Sequence, residues 1–418
     1  MVPLFVADEL FRGLVHGLVG HRAPVDAVRV AIVIVGASVA GVRTAQALRG
    51  QGFDGTLTVI GEERHHPYDK PPLSKEMLVP SGEGAPVPLL SSDELASFDV
   101  RLGTRATGLD PERRVVLVES GDEIPFTRLV IATGVTPRTL PGAPAGVYTL
   151  RCAEDAQALR AELKNASRAV VIGAGFIGAE FASAAIAHGV HVSIVEAQDT
   201  PMAHILGAEV GGMLAKLHEL NGVEVHAGAR FDRFEGGARV SGVALADGRV
   251  LQADLVVVGI GARPATDWLA GSGLPVDDGV VCDEKLRVRG FPGIYAAGDV
   301  ARWPHPHYST DLRIEHWTNA GEHGTIVAAD ILGKPAPRPQ VPYVWSDQYG
   351  RRIQIVGRPA AGRPAFVDGS VEEERFMAVY ADGESVVGAL VVDDPRAMMK
   401  CRKAIAGGLN VDDLRGGR

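Results

Sequence analysis

The sequence is poor in cysteine. Its 418 residues include only Cys152, Cys282 and Cys401, which lie 130 and 119 positions apart. No C-x-x-C pair occurs, which excludes a locally spaced zinc site and a thioredoxin-like dithiol. So sparse a set also argues against a disulfide-stapled secreted fold and for a reducing cytoplasm. No run of about 18 uncharged apolar residues occurs, so no transmembrane helix and no membrane role are expected. Positive charge is not in excess either: 42 Lys and Arg against 51 Asp and Glu leave a formal charge of -9. That balance argues against a nucleic-acid partner, although a local basic patch could still bind an acidic protein. With no HExxH helix and no Cys cluster, His65-His66 and His305-Pro306-His307 read as surface or partner-facing histidines, and no metal site is expected.

What remains is globular in kind, with 46% hydrophobic and 22% charged residues. At about 150 residues per domain, the length suggests roughly three domains. Residues 1–28 stand apart as an N-terminal extension. Leu4, Phe5, Leu10, Phe11, Leu14, Val15 and Leu18 give a helical apolar stripe broken by Asp8, Glu9 and Arg12. The segment lacks the basic start and clean apolar run of a signal peptide. Periodicity alone leaves two readings: an extension without fixed order, or a docking helix.

Two segments repeat one grammar. Val30–Val35 is an apolar strand followed by Gly36-Ala-Ser-Val-Ala-Gly41 and an Ala-rich helical stretch to Gly50. Ala169–Ile172 is followed by Gly173-Ala-Gly-Phe-Ile-Gly178 and a helical stretch to His188. Strand, glycine turn and helix start form the buried parallel βαβ unit that binds dinucleotides, with the pyrophosphate at the helix N-terminus. Each unit runs on to a second strand ending in an acid, Glu62 in one and Glu196 in the other, at the distance that reaches an adenosine ribose. A lone glycine fingerprint is weak, but two complete units imply two dinucleotide sites.

Ser38 takes the place of the usual middle glycine of the first unit. It crowds the phosphates, yet it is small and can donate a hydrogen bond. Glu196 would repel a 2′-phosphate, and Ala197-Gln-Asp-Thr200 supplies no arginine to neutralise one, so NADH is favoured over NADPH. Taken alone, Glu196 could equally be a solvated strand end. Leu129–Gly134, Leu255–Gly261 and Ile294–Asp299 read as further buried strands, and the Pro-rich stretch from Gly333 to Pro342 as a linker. Beyond it, alternation at Arg352–Val356 and Phe376–Tyr380 predicts an antiparallel sheet in a small third domain. A helix from Trp317 to Leu332 would aim its positive N-terminal end at a bound group.

The order GxSxxG, PPLSK, ATGxxPR, GxGxxG, YAAGD and RIEHW resembles the two-dinucleotide flavoprotein reductases, specifically the ferredoxin reductases that serve Rieske oxygenases and cytochromes P450. The resemblance runs from about Arg29 to beyond Tyr349. It implies a glutathione-reductase-like α/β fold with two Rossmann-like domains and a small α+β C-terminal domain. The expected division is 29–144 with 266–334 for FAD, 145–265 for NAD, and 335–418 for the third domain.

The resemblance also implies site residues. Non-covalent FAD falls to Gly36, Ser38, Ala40, Gly41, Glu62, Lys75, Ala106, Thr133, Gly134, Arg138, Asp299 and Trp317. The nicotinamide dinucleotide falls to Gly173, Gly175, Phe176, Ile177, Gly178, Glu196 and Gly261. Lys75 and Glu180 are implied as the catalytic pair beside the flavin and nicotinamide. Without the resemblance, Lys75 would read as a solvated lysine after a proline turn.

No cysteine precedes Cys152, so the dithiol used by disulfide reductases of this architecture is missing. Electrons accepted by FAD must leave singly or to a small oxidant. The implied activity is an NADH:ferredoxin reductase with a [2Fe–2S] ferredoxin as partner, feeding an oxygenase or P450. Alternatives are a rubredoxin reductase, an NADH oxidase, a monodehydroascorbate reductase, or an apoptosis-inducing-factor-like interaction flavoprotein. An acidic ferredoxin would need a local basic patch. Arg302, Arg313, Arg351 and Arg352 are candidates, with ordinary solvated charge as the other reading.

Overall fold

The computed structural model describes residues 30–308 and 310–416. The segment 1–28 lies outside the described residues.

The two repeats become two five-stranded parallel sheets. The first runs Ile294–Ala296, Arg128–Ile131, Ala31–Val35, Thr56–Ile60, Asp99–Arg101. The second runs Glu224–Ala227, His191–Glu196, Arg168–Ile172, Leu255–Val258, Val147–Tyr148. Their central strands read as unbroken apolar runs because both faces are packed. Along Arg168–Ile172, Ala169 and Val171 enter one apolar cluster while Val170 and Ile172 enter another on the opposite face. Parallel register sets Val35 beside Ile60 and Ile131, and Ile172 beside Val195 and Val258. Each glycine turn therefore sits at the carboxyl edge of its sheet, where open α/β sheets bind ligands.

The two turns are built alike. Gly36 N donates to Ile60 O and Gly173 N donates to Val195 O, both at 2.8 Å. Gly36 lies at φ +120° and Gly173 at φ +102°. A Cβ would stand 2.1 Å from Ala132 O in the first and 2.4 Å from Gly259 O in the second. Only glycine satisfies both the left-handed backbone and that approach. The helices Val39–Gly50 and Phe176–Ala187 then start from Ser38 and Gly175.

Three strands end earlier than their apolar runs suggest, at Ile131, Val258 and Ala296. At the first two, the chain turns before Gly134 and Gly261, whose φ values are +65° and +88°. That turn brings the rest of each run to the ligand-facing edge.

The C-terminal sheet is antiparallel, in the order Tyr343–Gln348, Arg351–Gly357, Ser385–Val392, Arg375–Asp382, Arg363–Ser370. Helix Pro395–Gly407 covers one face through Met398, Cys401 and Ala404. The other face packs on helix Ala203–Leu220 of the second unit through Leu206, Val210, Leu214 and Leu217. The Pro71–Lys75 segment follows the first unit in sequence but anchors in the core of the second: Leu73, Met77 and Leu78 are buried with Leu159 and Phe181. All three parts of the chain therefore meet near residue 75.

Candidate functional site

Two cavities lie along the carboxyl edges of the parallel sheets. One, of about 450 Å³, is bounded by Gly36, Ser38, Glu62, Thr104 and Ala106 of the first unit. The other, of about 430 Å³, lies where the two units and the C-terminal sheet converge. They share Ser38, Lys70, Ala132, Thr133, Val135, Pro137 and Arg151 as a common wall. Each has the size of a small-molecule site. Together they offer an elongated space whose waist faces the N-terminus of helix Val39–Gly50.

Gly36, Ser38, Glu62 and Ala106 line the outer cavity. Glu62 stands at its rim, 3.6 Å from Arg105 Nε and well exposed. Ser38, Ala40, Lys75, Thr133, Gly134, Asp299 and Trp317 line the inner cavity, together with Gly175, Phe176, Ile177, Glu180 and Gly261 from the second unit. Gly41, Gly173 and Gly178 lie behind the turns. A Cβ on Gly41 would stand 1.9 Å from Gly36 O, and one on Gly178 2.3 Å from Gly173 O, so their role is close packing. At Gly175 a Cβ would meet only Gly259 O, at 3.9 Å. This open middle position explains why the first unit tolerates Ser38, whose side chain caps nothing in its helix.

Glu196 bounds neither cavity. Its carboxylate accepts from Ala174 N at 3.0 Å and Gln198 N at 2.9 Å, tying the acid to the second glycine turn.

Besides Gly41, Gly173, Gly178 and Glu196, a fifth implied residue lines neither cavity. Arg138 is exposed and borders neither cavity; its backbone N–H donates to Gly261 O at 2.9 Å. The cations at the waist are Arg151 and Lys70, neither of which the motif reading singled out. Arg151 extends to within 3.9 Å of the Asp299 carboxylate. Lys70 donates to Glu63 Oε1 at 2.5 Å and Tyr68 Oη at 2.8 Å. Burial holds its ammonium below the usual lysine range, opposed by the Glu63 charge.

Polar groups aimed at the space suit a flavin dinucleotide. Asp299 follows the buried strand Ile294–Ala296 and has no hydrogen bond from its side chain among the described residues beyond the distant Arg151 contact. Burial pushes its carboxyl up to about 6. A buried carboxylate of this kind calls for hydroxyl partners. Helix Trp317–Ile331 begins at the inner cavity from His316, whose buried Nδ1 has no partner and whose imidazole is pushed down to about 4 by burial. Trp317 Nε1 donates to Asp69 Oδ1 at 2.6 Å, which fixes the indole at the wall. Its ring meets Trp345 edge-on at 6.1 Å, and Trp345 stacks on Tyr343 at 6.0 Å.

Glu180 is 4% exposed and accepts Lys75 Nζ at 2.7 Å on Oε1. The lysine comes from the Pro71–Lys75 segment and the glutamate from helix Phe176–Ala187, so the pair closes where the two units touch.

One expectation is corrected, and for four arginines the pairing favours the reading as ordinary solvated charge. Arg302, Arg313, Arg351 and Arg352 do not form a free basic patch, because each is matched by carboxylates. Arg302 pairs with Asp277 at 2.5 Å and Arg352 with Asp347 at 2.8 Å. Arg313 pairs with Asp278 and Glu315, and Arg351 with Glu374 and Asp393. His305 is not a surface histidine: it is 2% exposed, packed on Trp303 and Tyr308, and pushed down to about 4 by burial.

Among the described residues, no group of three or more His, Cys, Asp or Glu is arranged to hold a metal ion. The three cysteines are free thiols, and burial pushes Cys152, on the outer cavity wall, up to about 12.

Comparison with known proteins agrees with this architecture. The family model described as pyridine nucleotide-disulphide oxidoreductase matches residues 30–324, and the reductase C-terminal model matches 343–415. The biphenyl dioxygenase system ferredoxin–NAD(+) reductase component of Paraburkholderia xenovorans is 39% identical over 78% of this chain and 80% of its own. Rhodocoxin reductase of Rhodococcus erythropolis is 36% identical over 90% and 89%. The covalent putidaredoxin reductase–putidaredoxin complex contains a chain that superposes with a TM-score of 0.88 at 32% identity, covering 92% of this chain and 95% of that one. With two glycine turns feeding one junction and these relatives across most of its length, the chain belongs to the pyridine nucleotide-disulphide oxidoreductase family.

Proposed function

We propose that the protein is an NADH-dependent ferredoxin reductase that holds FAD along the two connected cavities and serves an oxygenase or a cytochrome P450. The observation that carries the reading is the junction cavity, where a second dinucleotide turn opens beside the Lys75–Glu180 pair at the end of the first unit's site. FAD held there would supply the chemistry that joins two-electron donation by NADH to one-electron exit. The chain's part is to orient and to balance charge. Ser38 and the first helix N-terminus would hold the pyrophosphate with Lys70 and Arg151, Glu62 would take the adenosine ribose, and Asp299 the ribityl hydroxyls. Lys75 and the N-terminus of Trp317–Ile331 present positive charge where negative charge develops on reduction. Glu196 selects NADH. The three sheets correspond to an FAD domain, an NAD domain and a C-terminal domain.

Relatives named as reductases of ferredoxin, rhodocoxin and putidaredoxin support a ferredoxin as acceptor, which the reading takes to be of [2Fe–2S] type. The lack of any dithiol before Cys152 supports exit by single electrons. The aromatic run Trp317, Trp345, Tyr343 leads from the inner cavity toward the C-terminal helix, where Arg402 lies over the Tyr343 ring at 5.8 Å. Arg396, Lys400 and Lys403 follow one exposed helical stripe, and none of these four cations has an ion-pair partner among the described residues. This stripe replaces the four matched arginines as the basic face. No described helix is long and apolar enough to cross a membrane, and the reading places the enzyme in the cytoplasm.

The test is anaerobic stopped-flow. NADH should bleach the flavin within the mixing experiment, and a second mix with a [2Fe–2S] ferredoxin should reoxidise it faster than a rubredoxin does. Bleaching followed by reoxidation with dioxygen alone would refute the ferredoxin assignment.

A further inference from the structure

The C-terminal sheet reaches into the Lys75–Glu180 pair. Ser346, fully buried in strand Tyr343–Gln348, donates its hydroxyl to Glu180 Oε1 at 2.6 Å. Gln348, two residues on and therefore on the same face, donates Nε2 to Ser346 Oγ at 2.9 Å. Ser74 donates to the other oxygen, Oε2. The carboxylate thus takes one hydroxyl from the first unit's loop, one from the C-terminal sheet, and the Lys75 ammonium. Trp345, the neighbour of Ser346 on the opposite face of the strand, lines the inner cavity. One strand therefore touches both the aromatic wall and the charge pair.

We infer that Ser346, polarised by Gln348, is a positioning residue that fixes the Glu180 carboxylate and, through it, sets how much positive field Lys75 presents to the junction cavity. A carboxylate buried this deeply is stable as an anion only when its lone pairs are filled, and hydrogen bonds from ionised pairs in low dielectric are strong. With Ser346 present, Oε1 shares its charge between a hydroxyl and an ammonium. Without it, Lys75 is the sole donor to Oε1 and is drawn onto the carboxylate. The Glu180 charge is then less dispersed, and the net field toward the cavity becomes less positive. Negative charge developing there on reduction loses stabilisation. The hydroxyl acts through Glu180 and Lys75 and touches no substrate.

The inference rests on the proposed reductase function, and its test separates the two. In Ser346→Ala holoenzyme, the midpoint potential of bound FAD, titrated against a reference dye, should fall by about 30 mV, a tenfold change for a two-electron couple. The rate of flavin reduction at saturating NADH should fall about tenfold, the order expected for a hydrogen bond lost from a buried charge, with NADH Kd nearly unchanged. If Ser346→Ala does not retain FAD, Gln348→Met removes only the polarising amide and leaves every bond to Glu180 in place. It should shift the potential in the same direction by about 15 mV, roughly threefold. A potential equal to the wild type's in the variant that holds FAD would overturn the role given to Ser346. A wild type that NADH fails to reduce would overturn the reductase reading, while the potential comparison would still decide Ser346.

Discussion

Asp299 carries an energetic conflict that a single substitution exposes. Its side chain is 18% exposed, and burial raises its carboxyl from the ordinary 3.8 to about 6 against the pull of Arg151 and Arg313. A group whose pKa is higher folded than unfolded favours folding fully below the unfolded value. That contribution is lost as pH rises through the folded value. Between pH 4 and about 6 the apoprotein should therefore lose stability from this group, to a total of about 3 kcal/mol for a shift near two units. Asp299→Asn removes the titration while nearly keeping the shape. The variant apoprotein should melt higher than the wild type at pH 7 by several degrees, with the difference fading toward pH 4. FAD affinity should move the other way, because the amide replaces an ionic acceptor for the ribityl hydroxyls. Differential scanning fluorimetry of both apoproteins across pH 4–8, with fluorescence titration of FAD, measures both effects. Identical melting differences at pH 4 and pH 7 would refute the burial argument.

Nucleotide choice and partner binding give two further expectations. The parent enzyme should prefer NADH to NADPH by at least about tenfold in kcat/KM, worth about 1.4 kcal/mol. Glu196→Gln combined with Ala197→Arg should narrow that gap without unfolding the turn, since the glutamine oxygen can still accept from Ala174 N–H; equal use of both nucleotides by the parent would sink the role of Glu196. On the acceptor side, Lys400→Glu and Lys403→Glu together should raise ferredoxin KM and flatten its salt dependence, with flavin reduction by NADH unchanged. Arg302→Glu should raise ferredoxin KM less than the lysine pair does, because it changes the charge by two units rather than four and lies in strand Ala301–His305, off helix Pro395–Gly407. A larger KM change from Arg302→Glu than from the lysine pair would place the acceptor elsewhere.

Much of this architecture was legible because it is local. An apolar run, a glycine turn and a helix start follow from sterics within about ten residues, so both units and the antiparallel C-terminal sheet could be read from order alone. The acid after each second strand was legible for the same reason, since strand length and register fix where it stands. Strand ends were less so. The apolar runs continue past Ile131 and Val258, where parallel pairing stops, three residues before the positive φ of Gly134 and Gly261.

Tertiary packing decided what no local pattern encodes. Lys75, bland in isolation, meets Glu180 only because Leu73, Met77 and Leu78 bury themselves in the other unit's core. Arg151, without a motif, lines both cavities, while Arg138, inside one, lines neither. The four arginines that order alone left open between a free patch and solvated charge are matched by carboxylates as much as 42 positions away in the chain, as with Arg351 and Asp393. Charge pairing and burial depend on neighbours brought together by folding, and the sequence by itself determines which groups exist but not which of them meet. It specified two dinucleotide turns and the residue types for charge balance. The three-way contact at Glu180, which joins both units and the C-terminal sheet, came only with the packed structure, because its partners lie 106 and 166 positions away.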